Sequence, residues 1–154
     1  MSEREKKGAG GGTGRRLDGR GWRCVLRVLG GYPTVKAALA HLPVMAARWR
    51  RLAARFHAQA AQYARQWRER TGGQAVPEDP DAIGPRPDGS PWPDGDRQEL
   101  RELCGAYRAW HGAERLARRQ AGKAGRRLDW LKRLLAGHPP AVSGRRLDDA
   151  GDAA

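Results

Sequence analysis

The residues with the clearest chemical potential are six arginines that recur along one stretch of the chain. They are spaced seven residues apart in two groups of three: Arg101, Arg108 and Arg115, then Arg119, Arg126 and Arg133. Seven residues are nearly two turns of an α-helix, so side chains at this spacing project from one side of it. Guanidinium groups pair with phosphate and carboxylate oxygens. The arginine row therefore predicts a surface that binds a polyanion.

An apolar row in the same stretch indicates the helix that positions these arginines. Its members alternate at spacings of three and four residues, as on the buried face of a helix: Leu100, Leu103, Tyr107, Trp110, Ala117, Ala121, Ala124, Leu128, Leu131 and Leu135. We predict a helix over residues 96–136, capped by Asp94 or Asp96 and ended by Gly137. A break in this helix near 120–125 is an alternative, because Gly122 and Gly125 weaken the helix interior.

A second long helix is predicted over about residues 35–70, with Thr34 as its N-cap. Pro43 predicts either a kink or two separate helices. The apolar row past Pro43 comprises Met45, Trp49, Leu52, Phe56, Ala60, Tyr63 and Trp67. Four arginines point away from that row and are candidate phosphate ligands: Arg50, Arg51, Arg65 and Arg68. A helix-turn-helix with its turn at 43–45 is an alternative, although the second helix would be unusually long.

The remaining segments differ sharply in composition. Residues 21–30 form a short apolar run that we interpret as a small helix, with a strand as the alternative. Residues 72–95 hold six prolines and several carboxylates, which predicts an acidic linker without helix or strand. We favour an extended, solvated linker over one that folds back on the arginine face. Residues 1–20, a basic Gly/Arg arm, and 138–154 are predicted to be disordered.

The predicted fold is all-α. It is a long antiparallel helical hairpin with coiled-coil character, a short additional N-terminal helix and disordered termini, and residues 21–137 make up the helical domain. Six larger side chains are expected to be buried where the two long helices meet: Leu52, Phe56, Tyr63, Leu103, Tyr107 and Trp110.

Composition narrows the class of partner. The formal net charge of the 154 residues is +13 and the sequence pI is about 11.1, which favours nucleic acid, anionic membrane or acidic proteins as partners. No apolar run approaches the length of a membrane span, and the arginine faces lack large apolar residues, so we predict no membrane partner. Cys24 and Cys104 match no metal or redox spacing, which favours a reducing, cytoplasmic location.

Catalytic and cofactor motifs are not recognisable. The stretch GAGGGTGRR follows no strand and lacks the lysine and hydroxyl residue of a phosphate loop. The four histidines show no ligand spacing with each other or with cysteine, so we predict no metal and no cofactor. Glu114 interrupts the apolar row, and its expected partner is Arg118 or an arginine of the facing helix. We find no nucleophile–base constellation and predict no enzyme.

The sequence therefore favours a non-catalytic, sequence-tolerant nucleic-acid-binding protein that contacts the phosphates of DNA or RNA. Trp92, in the linker, and Trp130, outside the apolar row, are candidates for stacking on bases. The main alternative is a helical adaptor or scaffold subunit that docks an acidic protein partner or a ribonucleoprotein assembly. The pentapeptide Gly-Arg-Arg-Leu-Asp occurs three times, at 14–18, 125–129 and 144–148, with no role that the sequence explains.

Overall fold

The computed structural model of the chain describes residues 17–137, which form three α-helices and no strand. These are α1 (Gly19–Val28), α2 (Val35–Thr71) and α3 (Asp94–Leu135). With 37 and 42 residues, α2 and α3 are roughly 56 and 63 Å long. They pack along each other as an antiparallel hairpin, which confirms the predicted all-α fold. The termini predicted to be disordered, residues 1–16 and 138–154, lie outside the described range.

Local capping explains where the helices begin and end. The Thr34 hydroxyl accepts a hydrogen bond from the Ala37 amide at 3.1 Å, and Gly72 ends α2 in the left-handed conformation, at φ 70°. The predicted aspartate cap of α3 is wrong. Pro93 occupies the N-cap position without a side-chain bond, and Asp94 instead lies in the first turn, where its carboxylate favours the helix dipole.

Helix α1 begins earlier than its sequence suggests. The Asp18 carboxylate accepts a hydrogen bond from the Gly21 amide at 2.7 Å and thereby caps α1. Residues 18–20, which we predicted as part of the disordered arm, therefore belong to this helix and its cap.

Neither long helix is interrupted. Helix α2 continues through Pro43, so the helix-turn-helix alternative is wrong because it requires a turn at 43–45. Helix α3 continues through Gly122 and Gly125, so the break that these glycines left open is absent. The arginines predicted to bind phosphate therefore all lie on two continuous helices.

The interface between α2 and α3 is built from alanine. The buried small residues are Ala46, Ala53 and Ala60 on α2 and Ala117, Ala121 and Ala124 on α3. The six larger side chains predicted to be buried (Leu52, Phe56, Tyr63, Leu103, Tyr107 and Trp110) are only half-buried, which corrects that prediction. Alanine lets the two helix axes approach closely, so the larger side chains flank the interface, as Phe56 and Trp110 do with ring centroids 5.6 Å apart.

Larger apolar residues are buried at the two ends of the hairpin. At the open end, α1 and the following turn pack on α2 and α3 through Val25, Leu26, Leu29, Ala38, Leu42 and Leu131. At the linker end, Trp67 packs with Leu100 and Cys104, and Val76 and Ile83 of the linker cover them. The hairpin is thus closed by a separate apolar cluster at each end.

The linker is packed, which corrects our prediction of a solvated connection. It contains no helix or strand between residues 72 and 93, as predicted, but its backbone caps buried groups. The Trp67 indole donates to the Gln74 carbonyl at 3.1 Å, and the Trp92 indole donates to the Gly84 carbonyl at 2.9 Å. The proline-rich backbone is irregular, but apolar contacts hold it against the two long helices.

The packed linker predicts unequal reactivity of the two thiols. Cys24 is exposed, whereas Cys104 is buried and its Sγ lies 3.6 Å from the Pro77 carbonyl oxygen. Burial raises the pKa of the Cys104 thiol, so less of it is thiolate at pH 8. We expect a disulfide-exchange reagent to modify one thiol per native chain rapidly and the second only in denaturant. Equal rates for both cysteines would show that the linker does not cover Cys104.

Candidate functional site

The charges of the described residues are divided between the two ends of the hairpin. We call residues 17–60 and 105–137, which form the open end, the basic half; it carries 17 basic and three acidic side chains. We call residues 61–104, which contain the linker, the acidic half; it carries six basic and nine acidic side chains. A polyanion is therefore attracted to one end of the molecule and repelled from the other.

The linker contacts the start of the arginine row. Arg101 Nε lies 3.3 Å from a carboxylate oxygen of Asp81, and Arg108 Nε donates to the Glu78 carbonyl at 3.1 Å. At these two residues the linker therefore does fold back on the arginine face, which we had treated as the less favoured alternative. Nearby, Arg70 pairs with Glu99.

The other predicted arginines are distributed as follows. Arg115, Arg119 and Arg133 are exposed on α3, and Arg126 is half-buried there; Arg50 and Arg51 are exposed on the basic half of α2. Arg65 and Arg68 are exposed too, but they lie in the acidic half. Of the ten predicted arginines, Arg65, Arg68 and Arg101 thus lie in the acidic half and the other seven lie in the basic half.

The basic half also contains a groove between α2 and α3. Its volume is about 580 Å³, and we call it the arginine groove. Arg50, Arg118, Arg126 and Asp129 line it above a floor of small residues, Ala53, Ala54, Ala121, Gly122 and Gly125. Arg118 was missed as a site residue because it lies outside the seven-residue spacing. Its position four residues after Glu114 is the signal that pointed to it.

A buried carboxylate joins the two helices next to this groove. Glu114 is only 6% exposed, and its Oε1 lies 2.6 Å from Arg118 Nη2 and 3.2 Å from His57 Nδ1 on α2. The predicted pairing with Arg118 is confirmed. The partner on the facing helix is His57 rather than an arginine. The His57 and Arg118 side chains are both more than half exposed, so the buried Glu114 carboxylate is linked to the protein surface on each helix.

We expect Glu114→Gln to destabilise the protein by about 1–2 kcal/mol. The amide keeps the shape of the side chain but removes the charge that Arg118 and His57 share. Thermal unfolding followed by circular dichroism measures the effect. Glu102→Gln, an exposed change on the same helix, is the matched control and should stay within about 0.5 kcal/mol of the wild type. Equal stability of both variants would contradict a role for the buried carboxylate.

The two tryptophans predicted to stack on bases both take part in the fold. Trp92 packs against the apolar cluster of the linker end, and the Arg86 guanidinium lies 5.3 Å from its ring centroid. Trp130 packs against the cluster of the open end. Both rings are half-buried, and stacking on bases stays a prediction for each.

Other kinds of site find no support in the described part of the chain. Among residues 17–137, no group of three or more histidine, cysteine or carboxylate side chains is arranged to hold a metal ion. In the same range, no helix has the length and apolarity needed to cross a membrane. Comparison with known proteins found no matching protein family, no matching curated protein and no matching solved structure.

Proposed function

We propose that this chain is a non-catalytic, sequence-tolerant nucleic-acid-binding protein whose basic half contacts backbone phosphates. The observation that carries the proposal is the separation of charge along the hairpin, which leaves 17 basic and three acidic side chains at the open end. Arginine on a helix surface recognises phosphate through its forked donors and does not require a particular base.

The three carboxylates of the basic half offset only a small part of its positive charge. Glu114 is buried, Asp18 caps α1, and Asp129 lies beside the arginine groove. So many like charges on one end repel each other, and a polyanion relieves that repulsion on binding. Nucleic acid supplies the regular array of phosphates that an extended arginine surface fits.

The linker sets the size of the contact. Because Arg101 contacts Asp81 and Arg108 contacts Glu78, we place the phosphate contacts on the rest of the arginine row, from Arg115 to Arg133. Eighteen residues of helix cover roughly 27 Å, which corresponds to roughly 8 base pairs of duplex. We propose this short footprint and a cytoplasmic location, the latter because both cysteines are free thiols.

A salt titration tests the proposal. Fluorescence anisotropy with a labelled 16-base-pair duplex, a single strand and an RNA duplex measures affinity between 50 and 200 mM salt. Four phosphate contacts predict a slope of roughly −4 in a plot of log affinity against log salt for duplex DNA, and a loss of roughly 100-fold over this range. Duplexes of unrelated sequence should bind within about threefold of each other. A flat salt dependence, or strong preference for one sequence, would contradict phosphate-based binding.

A further inference from the structure

The arginine groove holds a guanidinium in an unusual position. Arg126 is half-buried on α3, and its Nε atom is buried without a hydrogen-bond partner among the described residues. Its guanidinium lies over Gly122, one turn earlier on the same helix, so that a Cβ atom at position 122 would be 3.1 Å from Arg126 Nη1. Glycine at 122 therefore lets this side chain lie low against the helix and within the groove.

Two more guanidiniums line the same groove, and one of them comes from the other helix. Arg50 belongs to α2, and Arg118 is held by Glu114 at 2.6 Å. The carboxylates near them are Asp129 in the groove and the buried Glu114, so positive charge exceeds negative even when both are counted. Neither Arg50 nor Arg126 forms an ion pair with any residue between 17 and 137. Their charge is available to an anion.

The small residues beneath the guanidiniums allow close approach. Three alanines and two glycines form the floor, and a volume of about 580 Å³ is within the range that ligand-binding clefts occupy. An oxyanion that enters here meets donors from two helices rather than from one surface row. Such convergence fixes the position of the anion, whereas a row of exposed arginines attracts it without fixing it.

We propose that the arginine groove is the anchoring site for a nucleic-acid backbone phosphate, held between α2 and α3 by Arg50, Arg118 and Arg126. This inference rests on the proposed function and assigns its tightest contact to one place. Gly122 contributes to this site, because a Cβ atom there would force the Arg126 guanidinium to shift.

A charge-conserving substitution separates this site from the general charge of the surface. Arg126→Lys keeps the charge and loses the forked donors, so we expect affinity for the 16-base-pair duplex to fall about fivefold. Arg97→Lys, the same change at an exposed position of the acidic half, should leave affinity within about twofold. Equal affinities of the two lysine variants would overturn the groove as an anchoring site.

Substitution of glycine provides a second test that cannot be confused with misfolding. Gly122→Ala should raise the melting temperature by about 3 °C, because alanine favours the helix interior, while it lowers duplex affinity about threefold. Gly112→Ala is the matched control, because a Cβ there meets nothing within 4 Å. It should raise the melting temperature similarly and leave affinity unchanged. Wild-type affinity of the Gly122→Ala variant would overturn the role of this position.

Inorganic polyphosphate, which carries phosphates without bases or sugars, distinguishes failure of the groove from failure of the proposed function. Wild-type protein that binds the duplex while both groove variants bind it equally well overturns the groove alone. Protein that binds polyphosphate in a manner sensitive to Arg126→Lys, but ignores DNA and RNA, supports an anion groove and overturns the nucleic-acid function. Protein that binds none of these probes overturns both.

Discussion

Replacing Arg115, Arg119 and Arg133 together with glutamine is expected to weaken binding to duplex DNA roughly 100-fold at 100 mM salt. Each substitution removes one phosphate contact, so the slope of log affinity against log salt should become shallower by roughly three units. The loss should be similar for duplexes of unrelated sequence, because phosphates carry no sequence information. All three side chains are exposed on α3 outside the arginine groove, and glutamine is a good helix former, so the fold is retained.

The acidic half provides a control with the same change of charge. Arg65, Arg68 and Arg97 are exposed there, and their joint replacement with glutamine also removes three positive charges. We expect affinity to fall less than about threefold, since the neighbouring carboxylates repel the ligand from this end. Equal losses in the two triple variants would mean that net charge alone, and not the basic half, determines binding. An adaptor that docks an acidic protein would lose that partner in the first variant while its nucleic-acid affinity stayed unchanged.

Trp67→Ala is expected to have the largest effect on stability, about 3–5 kcal/mol. The Trp67 side chain is 1% exposed, and its indole N–H bonds to the linker at Gln74. Its loss opens a cavity beneath Val76 and Ile83 and should expose Cys104 to modification in the native protein. Urea unfolding followed by circular dichroism gives the free energy, and thiol labelling reports the release of the linker.

Trp110→Ala is the comparison that tests the alanine-lined interface. Trp110 is half-buried and contacts Phe56 at the flank of the helix contact, so the same substitution should cost roughly half as much. Cys104 should stay protected in this variant. A cost equal to that of Trp67→Ala would show that the larger side chains, and not alanine, form the centre of the interface.

Features that depend on neighbours within a few turns could be predicted from the sequence. The helices follow from apolar spacing, the Thr34 cap from its position before that pattern, and the Glu114–Arg118 pair from a separation of four residues. The spacing of apolar residues along the helices did not reveal that alanine would occupy the centre of the interface. A hydrophobic row shows which face is buried, but how closely two helices approach depends on which of its side chains are small enough to let the axes meet.

Features that depend on distant parts of the chain could not be predicted. The linker has no periodic pattern, and its fold depends on Val76, Ile83 and Trp92 meeting an apolar end formed by other segments. The separation of Arg101 from the rest of the arginine row depends on Asp81, twenty residues earlier, and on the path of the linker between them. The arginine groove likewise requires the register of α2 against α3, which places Arg50 beside Arg118.

The indole N–H signals of the native protein test the central claim most directly, because the tryptophans are spread along the hairpin. In a nitrogen–proton correlation spectrum, addition of the 16-base-pair duplex should shift the signals of Trp22 and Trp130 at the open end. The signals of Trp67 and Trp92, bonded to linker carbonyls in the acidic half, should stay in place. Shifts confined to Trp67 and Trp92, or no shift of any indole at saturating duplex in low salt, would contradict nucleic-acid binding by the basic half.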